Sequence, residues 1–529
     1  MTKGTPLLYD KSIEQIEKII NEHLDIDQNN KVSKGEVFTP LWLILEMFDH
    51  LPEKVWKNPN LKWLDAGSGI GNFSMILFYK LDNGLKSWEK NDSKRRSHIL
   101  KNMIYMIELS DNNVKTSNKI FGNQSNISES DFLHENNNWT KDFKNVETFD
   151  IIFGNPPYNK NGMRGKGRSN PGLSVIWNKF VEKSLTLMKP NGYCLFFTPN
   201  SWTELKSSLS DKILDKQILV FKNFDVVNAY KIFEKKAGSL PLCYYLIENK
   251  SPYTHTLLHD NVFDEFISFD LYKNMFIPNR NIKLVKKVLD KSKENMEDLY
   301  HFTPPKVKKD ETSFFSSYSQ QHPYPLINYV HKKIYVTYSK NYSRLQNGRP
   351  KLLLPNYSMG YPILDKEGIM DVGGRSSYVI YVNDNNIEHL RKIQAFFLTN
   401  IALTLINSLK TAQKFLSTRT FSLFPDVSSL PLSSINDEYL IKYFKLGNQE
   451  KKSIEYQVKK GEGNLTQQRR NEITNFDLHD YLKKNEIEFI KDKLQKAKIK
   501  DKKTFKTIKK RRRKKKSLKS RSLKNKHDE

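Results

Sequence analysis

Phe149-Asp150-Ile151-Ile152-Phe153-Gly154-Asn155-Pro156-Pro157-Tyr158 runs from an apolar strand directly into a stiff polar turn. A strand this apolar is buried, so the turn after it lies at the carboxyl end of a sheet, where α/β proteins bind ligands. The turn suits one chemical task. The Asn155 side-chain oxygen and a backbone carbonyl can both accept hydrogen bonds from a planar amino group. Two prolines stiffen the segment and leave the Pro156 carbonyl with no competing donor from Pro157. Tyr158 adds an aromatic face on which a planar base or amide can stack.

Upstream, Leu61-Lys62-Trp63-Leu64-Asp65-Ala66-Gly67-Ser68-Gly69-Ile70-Gly71-Asn72-Phe73 reads as a strand, a glycine turn and a helix start. Its G-x-G-x-G spacing departs from the G-x-G-x-x-G dinucleotide fingerprint. Asp65 at the strand end suits a cationic group such as an amino acid ammonium and repels a pyrophosphate. The glycines let the backbone approach a bulky ligand. Strand and helix patterns alternate across residues 61–250, with a helix expected over Leu173–Met188, a turn at Lys189-Pro190-Asn191-Gly192 and a strand over Tyr193–Phe197. That alternation predicts an α/β fold.

With Gly35-Glu36-Val37-Phe38-Thr39-Pro40 ahead of them, these segments resemble, in type and order, the gamma class of adenine-specific DNA methyltransferases with an N-P-P-Y motif. That class is related to the methyltransferase part of type II restriction-modification enzymes, and the resemblance spans about residues 30–440. It implies a Rossmann-like class I methyltransferase sheet, a separate mixed α+β target-recognition domain and S-adenosyl-L-methionine as cofactor. Thr39, Pro40, Asp65, Gly67 and Gly69 fall in its cofactor segments. Glu108, closing the run Ile104–Ile107, is the implied ribose ligand. It follows Asp65 at about twice the usual interval of roughly 20 residues, which the polar stretch Asp82–Ser97 accounts for as an insertion. In Ser128-Glu129-Ser130-Asp131-Phe132, Asp131 would accept from the cofactor's adenine amino group and Phe132 would pack on its ring. Phe233 matches a position that packs against the target base together with Tyr158, although an apolar residue there also fits a core.

The resemblance implies catalysis by positioning. Asn155, Pro156, Pro157 and Tyr158 would hold an adenine flipped out of double-stranded DNA, with no general base, metal or covalent intermediate. A cytosine-ring enzyme would need a Pro-Cys nucleophile, and neither Cys194 nor Cys243 follows a proline. Lys160, Arg164, Lys166 and Arg168, spaced by glycines, would form a loop closing on phosphates. The same N-P-P-Y chemistry serves enzymes that methylate glutamine amides in proteins, and RNA adenine is a further alternative. The Thr-Pro segment and the long stretch after the catalytic one favour DNA. A non-enzymatic DNA-binding protein would explain the basic tail but not Asp65, Glu108 and the Asn155–Tyr158 turn. With 34 residues before Gly35, any restriction endonuclease is expected on a separate chain.

A length of 529 residues suggests about three domains. Net charge is +28, and residues 491–529 hold 20 Lys/Arg against 4 Asp/Glu, so the remaining chain is basic as well. The expected division is a catalytic domain at 1–255, a DNA target-recognition domain at 256–435, a helical segment at 436–490 and a disordered Lys/Arg-rich tail at 491–529. Tyr338–Pro350 and Val372–Ser377 mix cations with bonding side chains that could read base edges. Ala395–Leu409 and Phe421–Pro425 resemble the closing part of that domain. Ile13, Ile16, Ile19, Ile20 and Leu24 predict a helix beside the cofactor segment, and Leu440, Ile441, Phe444 and Leu446 an apolar stripe. Two cysteines in apolar runs indicate buried thiols and a reducing compartment. No signal-peptide pattern opens the chain and no apolar run reaches a membrane span, so an intracellular, soluble protein is expected, cytoplasmic or nuclear.

Overall fold

The apolar runs pair side by side in a nine-stranded sheet. Its strands are β1 (Trp63–Ala66), β2 (Ile104–Glu108), β3 (Asn126–Glu129), β4 (Phe149–Gly154), β5 (Met188–Pro199), β6 (Gln217–Phe224), β7 (Leu242–Glu248), β8 (Thr256–Asp260) and β9 (Glu265–Phe269). Their order is β3-β2-β1-β4-β5-β7-β6-β8-β9. The first five pair in parallel, β7 runs antiparallel between β5 and β6, β8 is parallel to β6, and β9 closes the edge antiparallel to β8. This is the α/β fold that the alternation predicts, in the Rossmann-like form that the resemblance implies. The computed structural model describes residues 6–9, 11–15, 18, 39–159, 175–204, 207–233, 241–291, 300–303, 316–327, 334, 336–343, 345–354, 362–372, 378–409, 423–459 and 466–496. Gly35–Phe38, the cations of the Lys160–Arg168 loop, Arg344, Gly373–Ser377, Phe421, Ser422, most of the 11–24 stripe and the tail from 497 onward lie outside them, whereas residues 491–496, expected in the disordered tail, are helical because Leu494 is buried.

Both faces of the central strands are covered, which is why they read as unbroken apolar runs rather than alternating ones. Trp63 and Phe153 face α1 (Leu41–Asp49) and α2 (Asn72–Gly84), sharing one core with Ile44, Phe48, Phe73 and Leu77. Tyr105 and Phe149 face the other way, edge-on to each other, with Tyr105 also edge-on to Phe143 and Phe149 close to Trp139. The polar stretch after α2 is ordered: α3 (Asp92–His98) leads through one π-helical turn, Ile99–Met103, into β2. Arg95, 1% exposed, bonds Asp82 Oδ1 at 2.8 Å, Asp92 Oδ1 at 2.6 Å and the Glu89 carbonyl at 2.8 Å. Arg96 bonds Asp82 Oδ2 at 3.0 Å and the Tyr9 carbonyl at 2.9 Å. Beyond β2, α4 (Asp111–Phe121) precedes β3, and α5 (Trp177–Leu187), shorter than the helix expected over Leu173–Met188, precedes β5.

Two expectations change. The turn expected at Lys189–Gly192 is a bulge inside β5, where pairing jumps from Phe149↔Met188 to Ile151↔Tyr193. Asn249 pins it, donating through Nδ2 to the Met188 and Lys189 carbonyls at 3.0 Å each, while Asn191 takes φ +61°. The seam placed near 255 also moves: the first compact unit extends to Ile282. Regular strand-helix alternation stops near Ser251, but β8 still bonds to β6, so sheet pairing outlasts the sequence signal.

The second unit is mixed α+β. One sheet, β10 (Tyr300–Thr303), β16 (Tyr378–Val382), β13 (Lys351–Leu354) and β14 (Ile363–Asp365), is antiparallel throughout. A smaller one joins β12 (Val336–Ser339), β11 (Tyr324–Ile327) and β15 (Asp371–Val372). Lys351 Nζ bonds Asp365 Oδ2 at 2.6 Å in full burial, and Asp365 also accepts from the Gly368 and Met370 backbone amides. A buried ion pair satisfied in this way avoids the penalty of an unpaired charge. The run from Ala395 onward falls in two helices, Ile387–Phe397 and Asn400–Leu409. Leu440, Phe444 and Leu446 are buried, as their stripe predicts, and Ile441 is half-buried. No helix among the described residues is long and apolar enough to cross a membrane.

Candidate active site

The glycine turn is built by neighbouring strands. After β1, the Gly67 and Ser68 amides both donate to the Ile107 carbonyl at 3.0 Å, fastening the turn to β2. Gly71 has φ +92°, and a Cβ there would lie 2.5 Å from Phe121 Cε2, so conformation and space both demand glycine. Glu108 is held, not solvated. Its Oε2 accepts from the Gly69 amide at 2.8 Å, and its Oε1 from the Ser110 amide at 2.9 Å and Asn113 Nδ2 at 3.3 Å.

Asp65 is 1% exposed, on the sheet face that carries α2. Ser74, in the first turn of α2, donates Oγ–H to Asp65 Oδ2 at 2.8 Å. Burial pushes the Asp65 carboxyl up to about 7; the Ser74 bond opposes this and the Glu108 charge adds to it. On its other side, Oδ1 lies 3.2 Å from where a Cβ on Gly154 would stand. Gly154 takes φ +141°, so the tips of β1 and β4 meet at a position that only glycine fits.

Asn155 follows immediately. Its Nδ2 donates to Thr39 Oγ1 at 3.2 Å, across 116 residues of chain. Thr39 is 3% exposed, and Pro40 caps α1 directly after it. Pro156 is buried and Pro157 exposed. Pro157 Cδ and Phe180 Cε1 each lie 3.5 Å from the Cβ position on Gly67, so the proline turn and α5 border the glycine turn. Tyr158 is half-buried against the α1/α2 core, and its carbonyl accepts from the Ile176 amide at 3.1 Å. Burial raises its phenol well above the ordinary value, with Cys243 adding and Asn155 opposing.

Phe132 is 2% exposed, its ring 5.1 Å from that of Phe180. Lys183 Nζ stands 5.2 Å over the Phe132 ring; burial lowers its pKa and Asp131 opposes. The Asp131 side chain is exposed and accepts from the Leu133 amide of its own loop at 2.8 Å. Phe233 is 4% exposed and edge-on to Phe197 at 5.4 Å, inside the core against which Tyr158 packs. The structure therefore joins Thr39, Asp65, Gly67, Gly69, Glu108, Asn155 and Pro157 directly and brings in Phe132 through Phe180. Ser74, Asn113 and Phe180 escape sequence reasoning. Phe180 shares a helical period with Trp177, Val181 and Ser184, so its pattern marks only a core face.

A Mycoplasma pneumoniae protein described as an uncharacterized adenine-specific methylase is 27% identical over 298 residues, covering 42% of this chain and 68% of that protein. The type IIL restriction-modification enzyme MmeI, solved in complex with DNA, aligns at 12% identity and TM-score 0.42 over 92% of this chain and 78% of its own. The type I methyltransferase subunit of Streptococcus thermophilus aligns at 15% identity and TM-score 0.30, over 47% of this chain and 53% of its own. The EcoKI M protein aligns at 16% and 0.31, over 42% and 48%. The chain thus spans about half the length of these type I subunits. Residues 41–233, the stretch from α1 to Phe233 that builds nearly all of this site, match the family model described as Eco57I restriction-modification methylase.

Proposed function

We propose that this chain is a site-specific DNA methyltransferase acting on the exocyclic amino group of adenine. The observation that carries the reading is the Asn155–Tyr158 turn at the tip of β4, set against the glycine turn of β1 with Pro157 beside Gly67. The match of residues 41–233 to a restriction-modification methylase family supports it.

The residues around the glycine turn fit S-adenosyl-L-methionine. Two acids, Asp65 and Glu108, sit at adjacent strand tips, suited to an ammonium and to ribose hydroxyls rather than to a pyrophosphate. Phe132, behind Phe180, offers an apolar wall for a purine. When bound, the cofactor supplies a methyl group already activated by its sulfonium. The protein's work is then positional. Asn155 Oδ1 and the Pro156 carbonyl accept from the target amino group and turn its lone pair toward the methyl. Those bonds strengthen as positive charge develops on nitrogen, stabilising the transition state more than the ground state. Tyr158 stacks the extruded base, contributing roughly 1–3 kcal/mol against an unstacking cost of a few kcal/mol. Phe233 backs this ring from within the core. The second unit is the proposed target-recognition part.

The test offers labelled cofactor with unmethylated duplex DNA, RNA and a protein extract to the full chain. Label is expected in duplex DNA as N6-methyladenine; label confined to RNA or to protein glutamine overturns the reading. Asn155→Ala should lower methyl transfer at least about 100-fold, the size seen when one preorganised transition-state hydrogen bond is removed. DNA affinity should change little. Parallel loss of both would remove Asn155 from the chemistry.

A further inference from the structure

We infer that Thr39 is a positioning residue for Asn155, holding the catalytic amide in the plane that aims its oxygen at the target amino group. The inference rests on the methyltransferase reading above and gives Thr39 a task distinct from holding cofactor.

The backbone of Asn155 is already constrained on both sides. Gly154 before it is wedged against Asp65 at φ +141°, and Pro156 follows. The side-chain amide is not constrained by this. Its last torsion is soft, so the amide plane can swing and aim Oδ1 away from a target that donates from its amino group. Thr39 Oγ1 ties that plane down by accepting from Nδ2 at 3.2 Å. The residue is itself fixed. Thr39 is 3% exposed, and Pro40, at φ −60° and ψ 144°, anchors it to α1, whose Leu43 and Ile44 amides bond the Pro40 carbonyl. The Thr-Pro segment is therefore a brace reaching the catalytic turn from the far end of the sequence.

The experiment compares Thr39→Val, which keeps shape and removes the acceptor, with Thr39→Ser, which keeps the hydroxyl. Single-turnover methyl transfer at saturating cofactor is expected to slow about tenfold in Thr39→Val, the size of one net hydrogen bond. Cofactor affinity by calorimetry should move less than about twofold, and Thr39→Ser should restore most of the rate. Weaker cofactor binding with an unchanged saturated rate would overturn the proposal in favour of a plain ligand. A serine variant as slow as the valine one would overturn it in favour of packing. A thermal double-mutant cycle needs no turnover: the melting-temperature loss of Thr39→Val should largely disappear in an Asn155→Ala background. Additive losses there contradict the contact. Wild-type protein that methylates no DNA sinks the functional reading while leaving this cycle able to judge Thr39 and Asn155.

Discussion

Asp65 carries a penalty that the ligand-free protein bears at neutral pH. Its carboxyl is buried under Gly154 and raised to about 7, against an unfolded value near 3.8. The folded form therefore binds more protons than the unfolded form between those values, so this group's contribution to stability falls as pH rises from about 4 to 7 and levels off above. A neutral amide of the same shape escapes the penalty. Asp65→Asn should melt higher than wild type at pH 8, where the shift corresponds to about 4 kcal/mol at most, and by less than half as much at pH 5, where only part of the penalty has built up. Scanning calorimetry at both values checks it, and an equal difference at the two would mean that ionisation is not the cause. The same substitution should weaken cofactor binding. The sequence shows Asp65 as an acid ending a strand, and that much is local. Its burial is not legible there, because it depends on Gly154, 89 positions later, crossing beside it. Ser74 was invisible for the same reason: its partner lies across a turn, and serine near a helix start is ordinary.

Elements were legible wherever apolar periodicity carried them and obscure where polar side chains hold the chain. The strand-turn-helix around β1 and the strand into Asn155 are plain in the sequence because hydrophobic runs and glycines dictate them. The bulge in β5 is not: Lys-Pro-Asn-Gly reads as a turn, and the remote Asn249, with Lys189 paired to Asp150, keeps it within the strand. Nor is the Asp82–Ser97 stretch, whose charges suggest a solvated insertion although Arg95 is its buried keystone. Arg95→Ala should cost about 3–5 kcal/mol, since it leaves Asp82 partly buried without its main partner. Denaturant midpoints with an unchanged m-value measure this. A loss under about 1 kcal/mol would show that Arg96 alone neutralises Asp82.

For the whole chain, the function proposed above makes charge and division govern its hold on DNA. With a net +28, affinity should fall steeply with salt, at a slope of about 0.9 per phosphate neutralised. Removing residues 497–529 takes away 17 of 87 Lys/Arg, so the slope of log K against log salt should flatten while preference for one duplex sequence over another persists. Fluorescence anisotropy across 50–200 mM salt reads both; lost preference with an unchanged slope would place recognition in the tail. Composition made the charge obvious, whereas strand-helix alternation put the end of the first unit short of Ile282, because β8 and β9 extend the sheet without the helices that signal it. Those two strands have a larger consequence. The polypeptide quits the sheet from its outermost margin, six strands from the one that bears Asp65. Whatever follows can be lengthened, shortened or exchanged by a single genetic crossover without breaking one ladder bond around Asp65, so a lineage can re-tool the later part of the chain while this site is inherited whole.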